Sequence, residues 1–219
     1  MKGKIVVDSS QNTPQISAFA GDMNFMVSYF KAGGPVLHSN DEGDSILHAA
    51  AEGWQFQMVQ FLILSGADVN ARNNNGETPL HIIIRSNDAP FEGKFLRHTT
   101  PENARKETFR ILLCNGADTS IQDNRGGNAL HVAASEGDVI GIDELAIGGR
   151  IKLIDAVTSK GATALVLAIF QEHAECIKRL IAYGADVNYE LRDDVTPLTL
   201  LHSSKNPELK AIYKATINK

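Results

Sequence analysis

An all-α solenoid, made of stacked helix-turn-helix units with β-hairpin-like fingers between them, is the fold class this sequence predicts. Three observations predict it. A six-residue pattern recurs as Gly-Asp-Ser-Ile-Leu-His at 43–48, Gly-Glu-Thr-Pro-Leu-His at 76–81, Gly-Gly-Asn-Ala-Leu-His at 126–131, Gly-Ala-Thr-Ala-Leu-Val at 161–166 and Asp-Val-Thr-Pro-Leu-Thr at 194–199. Gly-Ala-Asp recurs at Gly66, Gly116 and Gly184. The leucines of the first pattern meet a second apolar stripe at a fixed distance, fifteen residues for Leu47 to Leu62 and for Leu165 to Leu180.

The stretch 66–81 shows how one unit ends and the next begins. Gly66 follows the apolar run Phe56 to Leu64 and accepts the left-handed conformation that stops a helix. Asp68, Asn70 and the run Asn73 to Asn75 supply side chains that satisfy turn backbone. Thr78 then caps a new helix, with Pro79 at the first helical position, where a missing N–H costs nothing.

These motifs resemble the ankyrin repeat, with its Thr-Pro-Leu-His-x-Ala signature and 33-residue period. On that frame the chain is an ankyrin-repeat solenoid, a single domain over 8–219, since a repeat array grows by unit count and not by adding cores. Residues 8–39 form a degenerate N-terminal cap, where Thr13-Pro14-Gln15-Ile16 replaces the signature. Val27 and Phe30 keep the inward spacing there, and Gln15 is expected to meet water. The repeat 40–72 has a first helix from Ile46 to Gly53 and the stripe Met58, Val59, Leu62 and Ile63. The repeat 73–122 carries an inserted loop, 87–103, because Leu80 and Leu112 are thirty-two residues apart. Thr100-Pro101-Glu102 nevertheless reads as a helix start, so its second helix is expected to be lengthened backwards. In the repeat 123–157, Gly141 lies inside the second helix at a cost of ~1 kcal/mol relative to alanine, which marks this unit as the softest. The repeat 158–190 is regular except that Val166 replaces histidine. Residues 191–219 form the C-terminal cap, with a last helix after Pro207 using Leu209, Ile212 and Tyr213.

Composition bounds the function. A chain with 43% hydrophobic and 21% charged residues and a net charge of −5 is globular and mildly acidic, which argues against a broad nucleic-acid footprint. No run approaches the ~18 apolar residues of a membrane span, and the N-terminal apolar run Ile5-Val6-Val7 is too short for a secretory leader. Cys114 and Cys176 fall in apolar helical patterns and are expected to be buried, reduced thiols, which favours an intracellular compartment, cytoplasmic or nuclear. A monomer is expected.

No catalytic, metal or cofactor site is expected. His48, His81 and His131 occupy one motif position, where the resemblance implies an imidazole bridging adjacent fingers, and sites one repeat apart cannot converge on one ion. His173 and Cys176 share a helix face at i, i+3, but no oxyanion-hole motif accompanies them. Nucleotide-binding glycine motifs are absent.

The resemblance implies a protein partner held by fingertips and first helices, with no small-molecule substrate. Carried onto this chain, that face comprises Asp41, Glu42, Asp44 and Glu52; Asn74, Asn75, Glu77, Arg85 and Ser86; Asn124, Arg125, Asn128, Ser135 and Glu136; and Lys160, Phe170 and Gln171. Trp54 has two readings, a packed turn residue or an exposed indole for a partner. The insertion, holding Phe91, Phe95 and Arg97, either packs on the helices or binds. The expected function is therefore a non-catalytic interaction scaffold or adaptor, including a eukaryote-like effector of an intracellular microbe. The alternatives are an inhibitor of a Rel-type transcription factor and an enzyme with its activity in the insertion. By resemblance alone, Asn70 and Asn188 are candidate substrates of the asparaginyl hydroxylase that modifies ankyrin proteins.

Overall fold

The computed structural model describes residues 13–86, 99–147, 153–191 and 195–218. The expectations placed on residues 8–12, Phe91, Phe95 and Arg97 lie outside them. Among the described residues there are twelve α-helices. Among the described residues strand-like pairing is confined to the isolated antiparallel bridges Ser39–Ser45 and Val157–Thr163 at the feet of two fingers.

The chain divides into two compact units, one ending at Ala117 and the other beginning at Asp118. The first holds α1 (Pro14–Ala20), α2 (Met23–Lys31), α3 (Ile46–Glu52), α4 (Phe56–Leu64), α5 (Pro79–Arg85) and α6 (Pro101–Cys114). The second holds α7 (Ala129–Glu136), α8 (Val139–Ala146), α9 (Ala164–Phe170), α10 (Ala174–Ala182), α11 (Pro197–Ser203) and α12 (Pro207–Ile217). Within each unit the odd-numbered helices pack side by side, as do even-numbered ones. Every odd helix is preceded by a capping residue at the same place in the pattern: Thr13, Ser45, Thr78, Asn128, Thr163 or Thr196. The recurring motif is thus a recurring helix start, which is why sequence phase and helix phase agree.

Burial of one stripe per even helix holds each stack together. Met58, Val59 and Leu62 of α4, Phe109 and Leu112 of α6, Ile142 and Leu145 of α8, and Ile177 and Leu180 of α10 are buried. Each such side chain contributes roughly 1.5–3 kcal/mol relative to exposure. In α2, however, the buried residue is Met26, and Val27 and Phe30 are only half-buried. Phe30 instead meets Phe61 of α4 with ring centroids 5.7 Å apart. Ile63 is likewise half-buried.

Gln15 does not face water. It is 8% exposed, and its amide Nε2 donates to the His38 and Asp44 carbonyls at 3.4 and 3.3 Å. The N-terminal unit keeps a polar residue here because the next finger presents carbonyls to it, not because its flank meets solvent. Cys176 is buried as expected, but Cys114 is exposed at the end of α6.

The inserted segment begins its return at Thr100, whose hydroxyl accepts the Asn103 N–H at 3.2 Å. Residues 101–103, assigned above to the loop, are the first turn of α6, which at fourteen residues is the longest described helix. Arg105 ties this extension to α5. It is 2% exposed, and its Nη2 donates to the Ile83 and Ile84 carbonyls at 3.1 and 3.4 Å. Those carbonyls end a seven-residue helix and have no partner within it. The guanidinium also lies 5.6 Å from the ring centre of Trp54 and 5.2 Å from that of Phe109, an arrangement in which a desolvated cation is attracted to both aromatic faces.

Trp54 is therefore a packed residue, 4% exposed, and the partner-binding reading of its indole is corrected. It adopts φ 54°, filling the left-handed turn position that Gly137 fills with φ 75° after α7. The glycine moved one place earlier, to Gly53, because an added Cβ there would overlap the Phe19 carbonyl. In α8, Gly141 answers a similar demand: its N–H is held by the Asp138 carboxylate at 3.0 Å, and an added Cβ would overlap that carboxylate.

Candidate functional site

Four fingers are tight turns with the same internal bonds. The N–H of Asn40, Asn73, Asp123 and Thr158 donates to the carbonyl four residues on, at 2.8–3.0 Å. The side chain of that first residue in turn accepts the N–H four residues on: Asp44 at 2.7 Å, Glu77 at 2.9 Å, Gly127 at 2.9 Å and Ala162 at 3.2 Å. The fourth residue is glycine with φ 79°, 74°, 78° and 77° at Gly43, Gly76, Gly126 and Gly161, a conformation that disfavours any Cβ.

Side chains then tie each finger to its neighbour within a unit. In the first unit, Asn74 donates its N–H to the Glu42 carbonyl at 3.0 Å and its Nδ2 to the Asp41 carbonyl at 2.9 Å. His48 Nε2 donates to the Glu77 carbonyl at 3.0 Å, while its Nδ1 accepts the Ser45 N–H at 3.1 Å. Both ring nitrogens are thus used in the neutral tautomer. Burial holds this imidazole below the ordinary histidine value of 6.5, against the opposing pull of the Glu77 carbonyl and the Asp44 carboxylate. In the second unit, His131 Nε2 donates to the Ala156 carbonyl at 2.8 Å, and burial lowers its pKa as well. Ser159 Oγ donates to the Arg125 carbonyl at 2.8 Å. Val166 is fully buried and carries no donor, so this bridge has no side chain to make it in the next repeat.

The residues assigned to the partner face sort by exposure. Asp41, Glu42, Asn74 and Asn75 in the first unit, and Asn124, Arg125, Lys160, Phe170 and Gln171 in the second, are exposed. Asp44, Glu52, Arg85, Ser135 and Glu136 are half-buried. Glu77 and Asn128 are buried. Glu77 pairs with Arg85 at 2.7 Å and Asn128 caps α7, so these two hold the frame and are corrected as contact candidates. Sequence reasoning placed Asn73 among the turn-satisfying side chains but missed Asp123 as its counterpart, and missed Gln15 as a tie to the following finger. The signal was present, since each finger-building Asn, Asp or Thr stands three residues before a recurring glycine.

Of the hydroxylation candidates, Asn70 is half-buried and donates Nδ2 to the Gly116 carbonyl at 3.1 Å. Asn188 is exposed, with its N–H on the Asp186 carboxylate at 2.8 Å.

Among the described residues the reactive groups singled out above do not converge. Burial pushes the Cys176 thiol up to about 12, leaving it a protonated, weak nucleophile. His173 Nε2 donates to the Ser135 carbonyl at 3.1 Å. Among the described residues no group of three or more His, Cys, Asp or Glu is placed to hold a metal ion. No described helix is long and apolar enough to cross a membrane.

The family model for ankyrin repeats, three copies in length, matches residues 7–92 and 98–208. The chain belongs to the ankyrin repeat family. Ankyrin repeats serve protein–protein interaction, so a protein partner is implied. Two curated ankyrin proteins are similar. The RelA-associated inhibitor of Mus musculus is 35% identical over 72 residues, 33% of this chain and 9% of its own length. A putative ankyrin repeat protein, L271, of Acanthamoeba polyphaga mimivirus is 33% identical over 81 residues, 36% of this chain and 10% of its own. The matched segments span about a tenth of these relatives.

Proposed function

We propose that this ankyrin protein is a non-catalytic adaptor that holds a partner protein on its fingertips and on the inner ends of its first helices. One observation carries the reading: the tip charges stand on rigid turns without an ion pair among the described residues. Asp41, Glu42, Arg125 and Lys160 are exposed and make no ion pair among the described residues. Several helix charges are instead used within the fold, as in Glu102–Lys106 at 2.6 Å and Arg179–Asp143 at 3.3 Å. An exposed charge on a rigid turn steers encounter and selects among partners at little ordering cost. The insertion is a further contact in this reading.

Capture by the immobilised full chain, compared with its D41K/E42K and R125E/K160E variants, tests the proposal. A protein bound by the wild type and lost in at least one variant of unchanged melting supports it. Retention of every captured protein by both variants would move the binding face elsewhere. Deleting 90–99 is expected to leave melting nearly unchanged and to weaken binding at least tenfold, about 1.4 kcal/mol.

A second reading, inhibition of a Rel-type transcription factor, is favoured by the similarity to the RelA-associated inhibitor over a third of the chain. Direct titration of a purified Rel-type DNA-binding region checks it, with no binding at micromolar concentration excluding it.

A further inference from the structure

We infer that the fingertips of the second unit take an acidic segment of the partner, with Phe170 packed against an apolar side chain of the same protein. The inference rests on the adaptor reading and names the chemistry of its partner. Arg125 and Lys160 hold the same place, third in the turn, on consecutive fingers. The two turns touch: Ser159 Oγ donates to the Arg125 carbonyl at 2.8 Å, and a Cβ added at Gly126 would lie 2.6 Å from the Ser159 nitrogen. Both cations are thus carried on backbones fixed against one another. Both are exposed, and neither pairs with a carboxylate among the described residues. In the same unit Lys178 is held by Glu208 at 3.0 Å and Arg179 by Glu175 at 3.2 Å. The guanidinium of Arg125 presents a planar fork that matches a carboxylate.

Phe170 closes α9 and is 66% exposed. It occupies the register place held by Ser135 in α7 and by Glu52 and Arg85 in α3 and α5. An aromatic side chain left in water at the place where other repeats carry polar groups is the residue type that anchors interfaces. A peptide fits this surface better than a nucleic acid. Among the described residues of these tips two cations stand exposed, with Glu136 at the end of α7 and Glu172 just beyond α9. A polyanion gains its affinity from many phosphate contacts and would meet those carboxylates instead.

The test is selection of random dodecamer peptides on the immobilised full chain, followed by fluorescence polarisation of the selected peptides. We expect a pool rich in Asp and Glu with at least one apolar residue. Its binding should weaken at least tenfold in R125E/K160E and severalfold in F170A, and should persist in D41K/E42K. The milder R125Q/K160Q, checked by its melting curve, replaces the charge reversal if that variant fails to fold. Absence of an acidic pool, equal binding to R125E/K160E, or displacement by a single-stranded DNA 20-mer would each overturn the inference while leaving the adaptor reading intact. A selection that yields no peptide of any kind would overturn both.

Discussion

The fingers at 40–44 and 73–77 and those at 123–127 and 158–162 share one backbone frame, yet their tips differ in charge. In all four, a first-position oxygen from Asn, Asp or Thr accepts the N–H four residues on. The third position reads Glu42 and Asn75 in the first unit and Arg125 and Lys160 in the second. Side chains that turn back onto the backbone are restricted to short acceptors, and the fourth position is restricted to glycine. Asn75 Nδ2 donates to Glu77 Oε2 at 3.5 Å, but the third side chain otherwise has no duty toward the turn. Its chemistry is therefore free to answer a partner, which is where two units of one architecture diverge.

The sharpest way to break this comparison is to alter the frame itself. Gly126 and Gly161 share nearly the same φ, 78° and 77°. A Cβ at Gly126 meets the Ser159 backbone, whereas no described residue lies within 4 Å of one at Gly161. G161A should cost about 1–2 kcal/mol of left-handed strain, and G126A about 1–3 kcal/mol more from overpacking. Urea unfolding midpoints check this, and equal losses would show that the two fingers do not press on one another.

The turn after the first helix offers the next contrast, because Trp54 and Glu172 share its left-handed position at φ 54° and 58°. W54G relieves strain but removes a buried ring packed on Arg105, so a net loss of about 2–3 kcal/mol is expected. E172G removes an exposed side chain whose described contact is with Asn206 Nδ2, at 3.0 Å. It should raise stability by up to about 1 kcal/mol. A gain in W54G would mean that the indole contributes nothing to the core.

A smaller effect is expected from pH. His48 and His131 have pKa values lowered by burial, so their contribution is complete above 6.5 and is lost as pH falls below it, the unfolded chain binding more protons there. Melting temperature should decline between pH 7.5 and 5.5. The H48Q/H131Q variant should flatten that slope, since Gln15 shows an amide making the bond to the next finger without titrating. An unchanged slope would assign the pH dependence to other groups. The smallest effect is expected at the tips themselves: D41K/E42K and R125E/K160E should each stay within about 0.5 kcal/mol of the parent. A larger loss would give those side chains a structural duty after all.

How far the sequence could be read follows from which contacts are local. The span of α4 and the capped start of α6 at Thr100 were legible, because caps, stripes and stop signals lie within a few residues of one another. Gln15 was misread, because the carbonyls that bind it belong to His38 and Asp44, on the following finger. Met26 displaced Val27 and Phe30 in α2 because Phe30 found a partner in Phe61. Glu77 looked like a surface contact until Arg85 closed on it. At the candidate site, the pattern marked the turns but could not show which charges were already spoken for. That distinction depends on distances such as the 3.3 Å between Arg179 and Asp143.

Arg105 has one more consequence. By joining α6 to the carbonyls of Ile83 and Ile84, it fastens the chain on both sides of the inserted segment at the level of the stack. What lies between those fastenings can change in length and composition without asking the repeats to move, as loop closure cost grows slowly with length. The 85–101 junction is thus a natural graft point, where a foreign recognition peptide could be exchanged for the resident segment while the same scaffold carries it.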